Sequence, residues 1–152
     1  MNFENLIVKE SNNDICKSLR YFIGEKEIAY IEYQIYEDLD DLQYIEGIIL
    51  PQNIIENYNS NVVLNHINVS NAFRNTGIGT HILTKFLEKF NNYDFVILQI
   101  ASTSGNLEER KEANEIKLPK FYSKFGFKKD TNIRTSLFGM KNTETFYIKI
   151  NN

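Results

Sequence analysis

The sequence predicts an α/β domain built on a mixed sheet, and three observations carry this. Residues 18–36 read as two β-rich runs around a short glycine turn, which is an antiparallel hairpin. Residues 62–101 read as strand, glycine turn, amphipathic helix and buried strand, a βαβ unit with parallel strands and a right-handed crossover. Hydrophobic residues make up 42% of the 152 and aromatic residues 13%, enough for a folded core and, at this length, for a single domain over residues 1–152. No linker or internal repeat divides the chain.

Taken in order, Phe3 to Val8 is the first expected strand, and Asn12-Asn13-Asp14 is a turn signal. Ser18–Ile23 and Ile28–Tyr36 form the hairpin around Gly24–Glu27. The second run alternates, with Ala29, Ile31, Tyr33 and Ile35 on the face expected to be buried. Glu37–Asp41 reads as an acidic, solvated loop. Tyr44–Leu50 reads as a strand, and Pro51 opens a short helix through Tyr58. Val62–Val69 is the next strand, with Val63, Asn65, Ile67 and Val69 on one face and Val62, Leu64, His66 and Asn68 on the other. The helix after Gly79 presents Ile82, Leu83, Phe86, Leu87 and Phe90 as an apolar stripe, which leaves His81 near solvent or the glycine turn. Phe95–Ala101 is almost wholly apolar, as a strand buried on both faces must be. Ser102–Glu115 is highly charged and reads as an exposed loop or helix. Pro119 opens a last short helix that Gly126 caps. Phe127 starts a short strand, and Thr145–Ile150 alternates as the final one.

The chain is organised around the junction Arg74-Asn75-Thr76-Gly77-Ile78-Gly79, between a strand and a helix. Glycines there let backbone N–H groups approach a ligand closely. The first turn of the helix adds unpaired N–H groups and a partial positive charge, which together suit a phosphate. The turn is therefore read as holding the pyrophosphate of a nucleotide-derived cofactor. It is not a Walker loop, because Thr80-His81 follows Gly79 where a lysine and a hydroxyl residue belong. It is not a Rossmann fingerprint, because Ile82 stands where the third glycine belongs.

Two segments then give the chain a family likeness. Leu64 to Leu83, containing R-N-T-G-I-G, and Leu118 to Phe127, reading L-P-K-F-Y-S-K-F-G-F, resemble the GNAT superfamily of acyl-CoA-dependent N-acetyltransferases. The likeness covers about residues 60 to 130. It implies a mostly antiparallel, twisted sheet with helices on both faces and a strand pair, 62–69 and 95–101, splayed to admit a cofactor. It implies acetyl-CoA as acetyl donor. The backbone of Asn75, Thr76, Gly77, Ile78, Gly79 and Thr80, with Arg74, would bind its pyrophosphate. The backbone of Ile67 and Val69 would pair with the pantetheine arm as an added strand does. Tyr122 would protonate the departing thiolate. The chain departs from the family pattern in having Asn75 after the arginine. It also has Glu115, next to Asn114, where the family has an asparagine seven residues before the tyrosine.

The chemistry expected is direct transfer of the acetyl group to a primary amine, of a small molecule or of a peptide or protein, with no covalent acyl-enzyme. His66 is the first candidate for the base that frees the amine, since imidazole titrates in the range the task needs. Glu32 and Glu46 are weaker candidates. The alternative is an acyl-CoA-binding module of the same fold without catalysis. The acidic stretch at 37–41 slightly favours a cationic acceptor.

A net charge of −3 argues against nucleic acid as a partner. Cys16 is the only cysteine, so there is no internal disulfide and no cysteine zinc site, and the expectation is no metal. Cys16 itself reads as a buried small residue. The first ten residues lack a signal-peptide pattern, and no apolar run nears the roughly 20 residues of a membrane span. The expected setting is cytoplasmic and away from membranes, and self-association as a homodimer is left open.

Overall fold

The computed structural model describes residues 2–13, 16–100, 105–135 and 145–152. Its main sheet has seven strands: β1 (Leu6–Asn12), β2 (Lys17–Ile23), β3 (Lys26–Tyr36), β5 (Asn61–Val69), β6 (Phe95–Gln99), β7 (Lys128–Asp130) and β9 (Phe146–Ile150). They lie in the order β1-β2-β3-β5-β6-β9-β7. Every neighbouring pair is antiparallel except β5 and β6. A second sheet pairs β4 (Ile48–Ile49) with β8 (Arg134–Thr135).

The sheet separates two cores. On one face lies helix α3 (Ile78–Lys89), whose apolar stripe of Ile82, Leu83 and Phe86 is fully buried, with Phe90 closing its end. Ala29, Ile31 and Tyr33 of β3 face it, with Ile35 packed alongside, so the alternation read from β3 holds. Tyr33, Phe86, Phe90 and Tyr93 meet at edges and tilts, ring centroids 4.9–5.9 Å apart. Such pairs add about 0.5–1.5 kcal/mol each beyond their burial. On the other face, helices α1 (Leu39–Glu46) and α2 (Gln52–Asn57) cover Val63, Phe95, Ile97, Phe146 and Ile148 through Leu39, Leu42 and Ile54, with Leu50 from the segment between them. Helices on both faces of a mostly antiparallel sheet are the expected architecture.

Several local expectations are corrected. The first strand starts at Leu6 instead of Phe3 and runs to Asn12. Phe3 leaves the sheet and stacks on His81 of α3, ring centroids 4.3 Å apart, so His81 is half-buried under it. The turn at Asn13 closes onto Cys16, whose amide donates to the Asn13 Oδ1 at 2.7 Å; Asp14 lies outside the described residues. Cys16 is half-buried, its thiol donating to the Lys17 carbonyl, and partial burial and then Glu32 push that thiol up from its ordinary value.

The acidic loop is instead the start of α1: Asp38 accepts from the Asp41 amide as N-cap, and Asp40 and Asp41 sit in the positive first turn. The helix continues through Tyr44 and Ile45 to Gly47, which ends it at φ 64, leaving only two residues of the expected 44–50 strand. Local capping outweighed the β-propensity of Tyr and Ile there.

The faces of β5 also differ from strict alternation. Glu32 pairs with His66 and Tyr33 with Leu64, so Asn65 is an extra residue with no partner on β3. This bulge shifts the alternation by one. Val62 and Leu64 before it, and Ile67 and Val69 after it, all face α3, while His66 and Asn68 turn to the opposite face.

Candidate active site

From Asn61 to Leu64, β5 pairs on one side with β3 and on the other, in parallel, with Phe95–Leu98 of β6. After Leu64 the pairing with β6 ends, β6 itself ends at Gln99, and β5 runs on to Val69 held by β3 alone. One edge of the 65–69 backbone therefore faces a gap. A cleft of about 680 Å³ occupies it, bounded by Leu64–Val69, Leu98–Ile100, the glycine turn and one face of the helical run from Glu109 to Tyr122. The expected strand end at Ala101 lies outside the described residues.

The glycine turn lines the cleft. A 3₁₀ turn at Asn71–Phe73 follows β5, and the Arg74 Nε donates to the Val69 carbonyl at 3.0 Å, tying the turn to the strand. Asn75 has φ 62 and Gly77 φ 86, both left-handed. Asparagine tolerates this better than other non-glycine residues, so the departure from the family glycine at position 75 keeps the turn's shape. The Thr76 hydroxyl donates to the Phe73 carbonyl at 2.5 Å and closes the loop; its side chain serves the turn and does not line the cleft. Gly77 is the N-cap of α3 and carries no side-chain cap, so the first-turn amides of α3 have no side-chain acceptor there. Arg74, Asn75, Gly77, Ile78, Gly79 and Thr80 all line the cleft. A Cβ on Gly79 would point toward Phe121 and Val69, at 3.8 and 3.9 Å, across the cleft wall.

The other wall is one continuous helical run: α4 (Leu107–Glu112), a π-helical turn (Ala113–Lys117) and α5 (Leu118–Ser123). Residues 107–115 are helical, not loop, and Pro119 sits inside the run instead of opening it. Ser102 to Ser104 of that expected segment lie outside the described residues. Proline has no N–H and crowds the carbonyl four residues back. The Leu118 amide bonds the Ala113 carbonyl, five residues back, so the wide turn lies immediately before Pro119. The extra residue has a consequence for register. In an α-helix the position seven before Tyr122 shares its face; one added residue moves that face to eight before. Accordingly Asn114 is half-buried and Glu115 exposed.

Tyr122 lines the cleft and is buried among Phe121 and Phe127. Burial pushes its phenol well above the ordinary value. Its hydroxyl makes no hydrogen bond among the described residues. His66 lines the cleft from the far face of the sheet, exposed, with Glu32 opposite it in register and the Tyr30 ring stacked on it at 5.5 Å. Glu46 does not line the cleft: it accepts from the Tyr36 hydroxyl at 2.6 Å. Nor does any residue of the acidic stretch 37–41. Among the described residues no group of three or more His, Cys, Asp or Glu is placed to hold a metal.

Sequence reasoning did not single out Glu109, Glu112, Lys117 and Phe121, which line the helical wall. Their spacing of three, five and four is a helical face with one π-turn in it, and the π-turn is what hid it. Lys117 reaches Glu112 at 3.9 Å, an exposed pair that contributes at most about 1 kcal/mol. No helix among the described residues is long and apolar enough to cross a membrane.

No protein-family model matches the sequence, and no curated protein does. Solved structures do match in fold. A GNAT family acetyltransferase of Elizabethkingia anophelis, determined with acetyl-CoA bound, is 12% identical over 97% of this chain and 99% of its own, with a TM-score of 0.57. The ribosomal-protein-S18-alanine N-acetyltransferase of Escherichia coli is 12% identical over 93% of this chain and 73% of its own, with a TM-score of 0.55. An acetyltransferase of Thermus thermophilus is 14% identical over 91% of this chain, with a TM-score of 0.54, and this chain spans only 66% of its length. The likeness is one of fold: this chain has the GNAT fold.

Proposed function

We propose that the protein transfers an acetyl group from acetyl-CoA directly to a primary amine. The observation that carries this reading is the gap beside Asn65–Val69, a single cleft that the glycine turn, Tyr122 and His66 all line. A left-handed turn and an uncapped helix start suit a pyrophosphate. The unpaired edge at Ile67 and Val69 suits the amides of a pantetheine arm, as an exposed edge takes an added strand. The chain's own residues therefore fit the cofactor, and neighbours of the same fold bear coenzyme A or acetyl-CoA.

In the reaction, the acceptor ammonium gives a proton to His66, or to water held by it. The freed amine attacks the thioester carbon; a C–N bond forms, the C–S bond breaks, and the nitrogen's second proton is released to solvent, which returns one to the departing thiolate. The thiolate departs toward Tyr122. A thiol titrates near about 8.5 and a buried phenol far higher, so Tyr122 acts by donating a hydrogen bond to the leaving sulfur, with solvent supplying the proton. The acceptor remains a primary amine of undefined kind. The acidic stretch 37–41 gives no support to a cationic one, because it forms the start of α1 and lies off the cleft.

The test is release of free thiol from acetyl-CoA with a panel of amines and peptides, with Tyr122→Phe as control. Turnover with at least one amine, reduced in the variant, is expected. Tight binding of coenzyme A with no turnover across the panel would favour a non-catalytic binding module, and failure to bind coenzyme A would remove the reading.

A further inference from the structure

On the face opposite α3, and away from the core under α1 and α2, strands β2, β3 and β5 carry a row of polar side chains that ends at His66. Arg20 of β2 pairs in register with Tyr30 of β3, and Glu32 of β3 with His66 of β5. The Arg20 guanidinium lies over the Tyr30 ring, 5.0 Å from its centroid. The His66 ring lies nearly parallel to Tyr30, centroids 5.5 Å apart and planes 18° apart. Arg20 and His66 come from strands on opposite sides of β3, so the three groups form a stack across β2, β3 and β5. The first member is fixed in turn: Arg20 bonds Glu27 at 2.8 Å and reaches Glu32 at 3.6 Å.

His66 needs such support because of where it sits. It follows the bulge at Asn65, and β5 has lost β6 on its other side at this point. An exposed imidazole on a half-paired strand has several rotamers open to it, and each wrong one takes the ring nitrogen away from the acceptor amine. A parallel ring and a cation behind it favour one plane.

We propose that Tyr30, backed by Arg20, is a positioning residue that holds His66 in the plane from which it takes the acceptor's proton. This rests on the transferase reading above. The ion pair to Glu27 fixes Arg20, Arg20 fixes Tyr30, and Tyr30 fixes the imidazole. Tyr30 touches neither the cofactor cleft nor the reacting atoms, since it does not line the cleft.

The experiment compares wild type, Tyr30→Ala and Tyr30→Phe by steady-state kinetics, with acetyl-CoA and whichever panel amine the wild type acetylates. It also compares their His66 ring signals by NMR in the protein alone. Tyr30→Ala is expected to lower kcat about tenfold with KM for acetyl-CoA unchanged, and Tyr30→Phe, which keeps the ring, to restore kcat to within about twofold. The ring current of Tyr30 should move the His66 ring protons upfield in wild type and Tyr30→Phe but not in Tyr30→Ala. Unchanged kcat in Tyr30→Ala, an equal loss in Tyr30→Phe, or His66 signals indifferent to Tyr30→Ala would each overturn the proposal. Absence of turnover by the wild type, with the upfield shift present, would instead bring down the transferase reading while leaving the stack in place. Coenzyme A binding by both variants serves as the folding control.

Discussion

The two halves of β5 are one strand with two fates. Asn61–Leu64 is hydrogen-bonded on both sides, packed on both faces, and at most 7% exposed. His66–Val69 is paired on one side only, Asn65 bulges out of the pairing, and each of these five residues is half-buried or exposed. The change occurs at Leu64, where β6 diverges, and at Asn65, where the bulge breaks the alternation. The first half holds the two cores together. The second leaves its backbone unpaired and turns His66 to the opposite face. An edge left open inside a sheet is costly unless something pairs with it; on this account an acyl-CoA arm is what pairs with it.

The comparison breaks most sharply under truncation. Leu64→Ala removes a side chain only 3% exposed from the α3 core and should cost about 2–5 kcal/mol in urea denaturation. His66→Ala, one bulge further on, should cost less than about 0.5 kcal/mol while lowering acetyl transfer. Equal losses of stability at the two positions would mean that the halves do not differ as described. Next in size, Tyr122→Phe should leave stability nearly unchanged, because no partner among the described residues is stranded, and should slow transfer by roughly 10²-fold. A smaller effect is expected of Gly79→Val. Its side chain would enter the space before Phe121 and Val69 and should weaken coenzyme A binding about tenfold, read by titration calorimetry.

The smallest effect is one of pH, and it comes from two tyrosines outside β5. Burial pushes Tyr21 up to about 12 and Tyr122 further. Both folded values lie above the unfolded value near 10. Their contribution to stability is therefore complete below pH 10 and lost as pH rises through the folded values. Denaturation midpoints should be insensitive to these two groups between pH 7 and 9 and fall from about pH 10 upward. Replacing Tyr21 by Phe should flatten part of that fall.

Where local sequence decides structure, the chain was legible. The hairpin, the α3 stripe from Ile82 to Phe90 and the turn from Arg74 to Gly79 all follow from period and glycine placement. The misreadings share a cause, which is that one residue changed the register or a cap overrode propensity. Asn65 adds a residue to β5, so His66 moved to the opposite face from its expected companions Val62 and Leu64. The π-turn before Pro119 adds a residue to the helix, so Asn114 replaced Glu115 on the inward side. Asp38 capped a helix where Tyr44 and Ile45 suggested a strand. None of these leaves a periodic trace, because each is a single break in a period. The site was legible as far as its glycine turn. The Arg20–Tyr30–His66 stack joins three strands and depends on pairing that sequence spacing does not contain.

The division of β5 is tested most directly by amide chemical shifts, recorded with and without acetyl-CoA. The account predicts that Asn65–Val69 and Asn75–Thr80 shift strongly on binding, while Asn61–Leu64, already paired on both sides, stays in place. Shifts spread equally along the whole of β5, or confined to residues outside the gap and the turn, would contradict it.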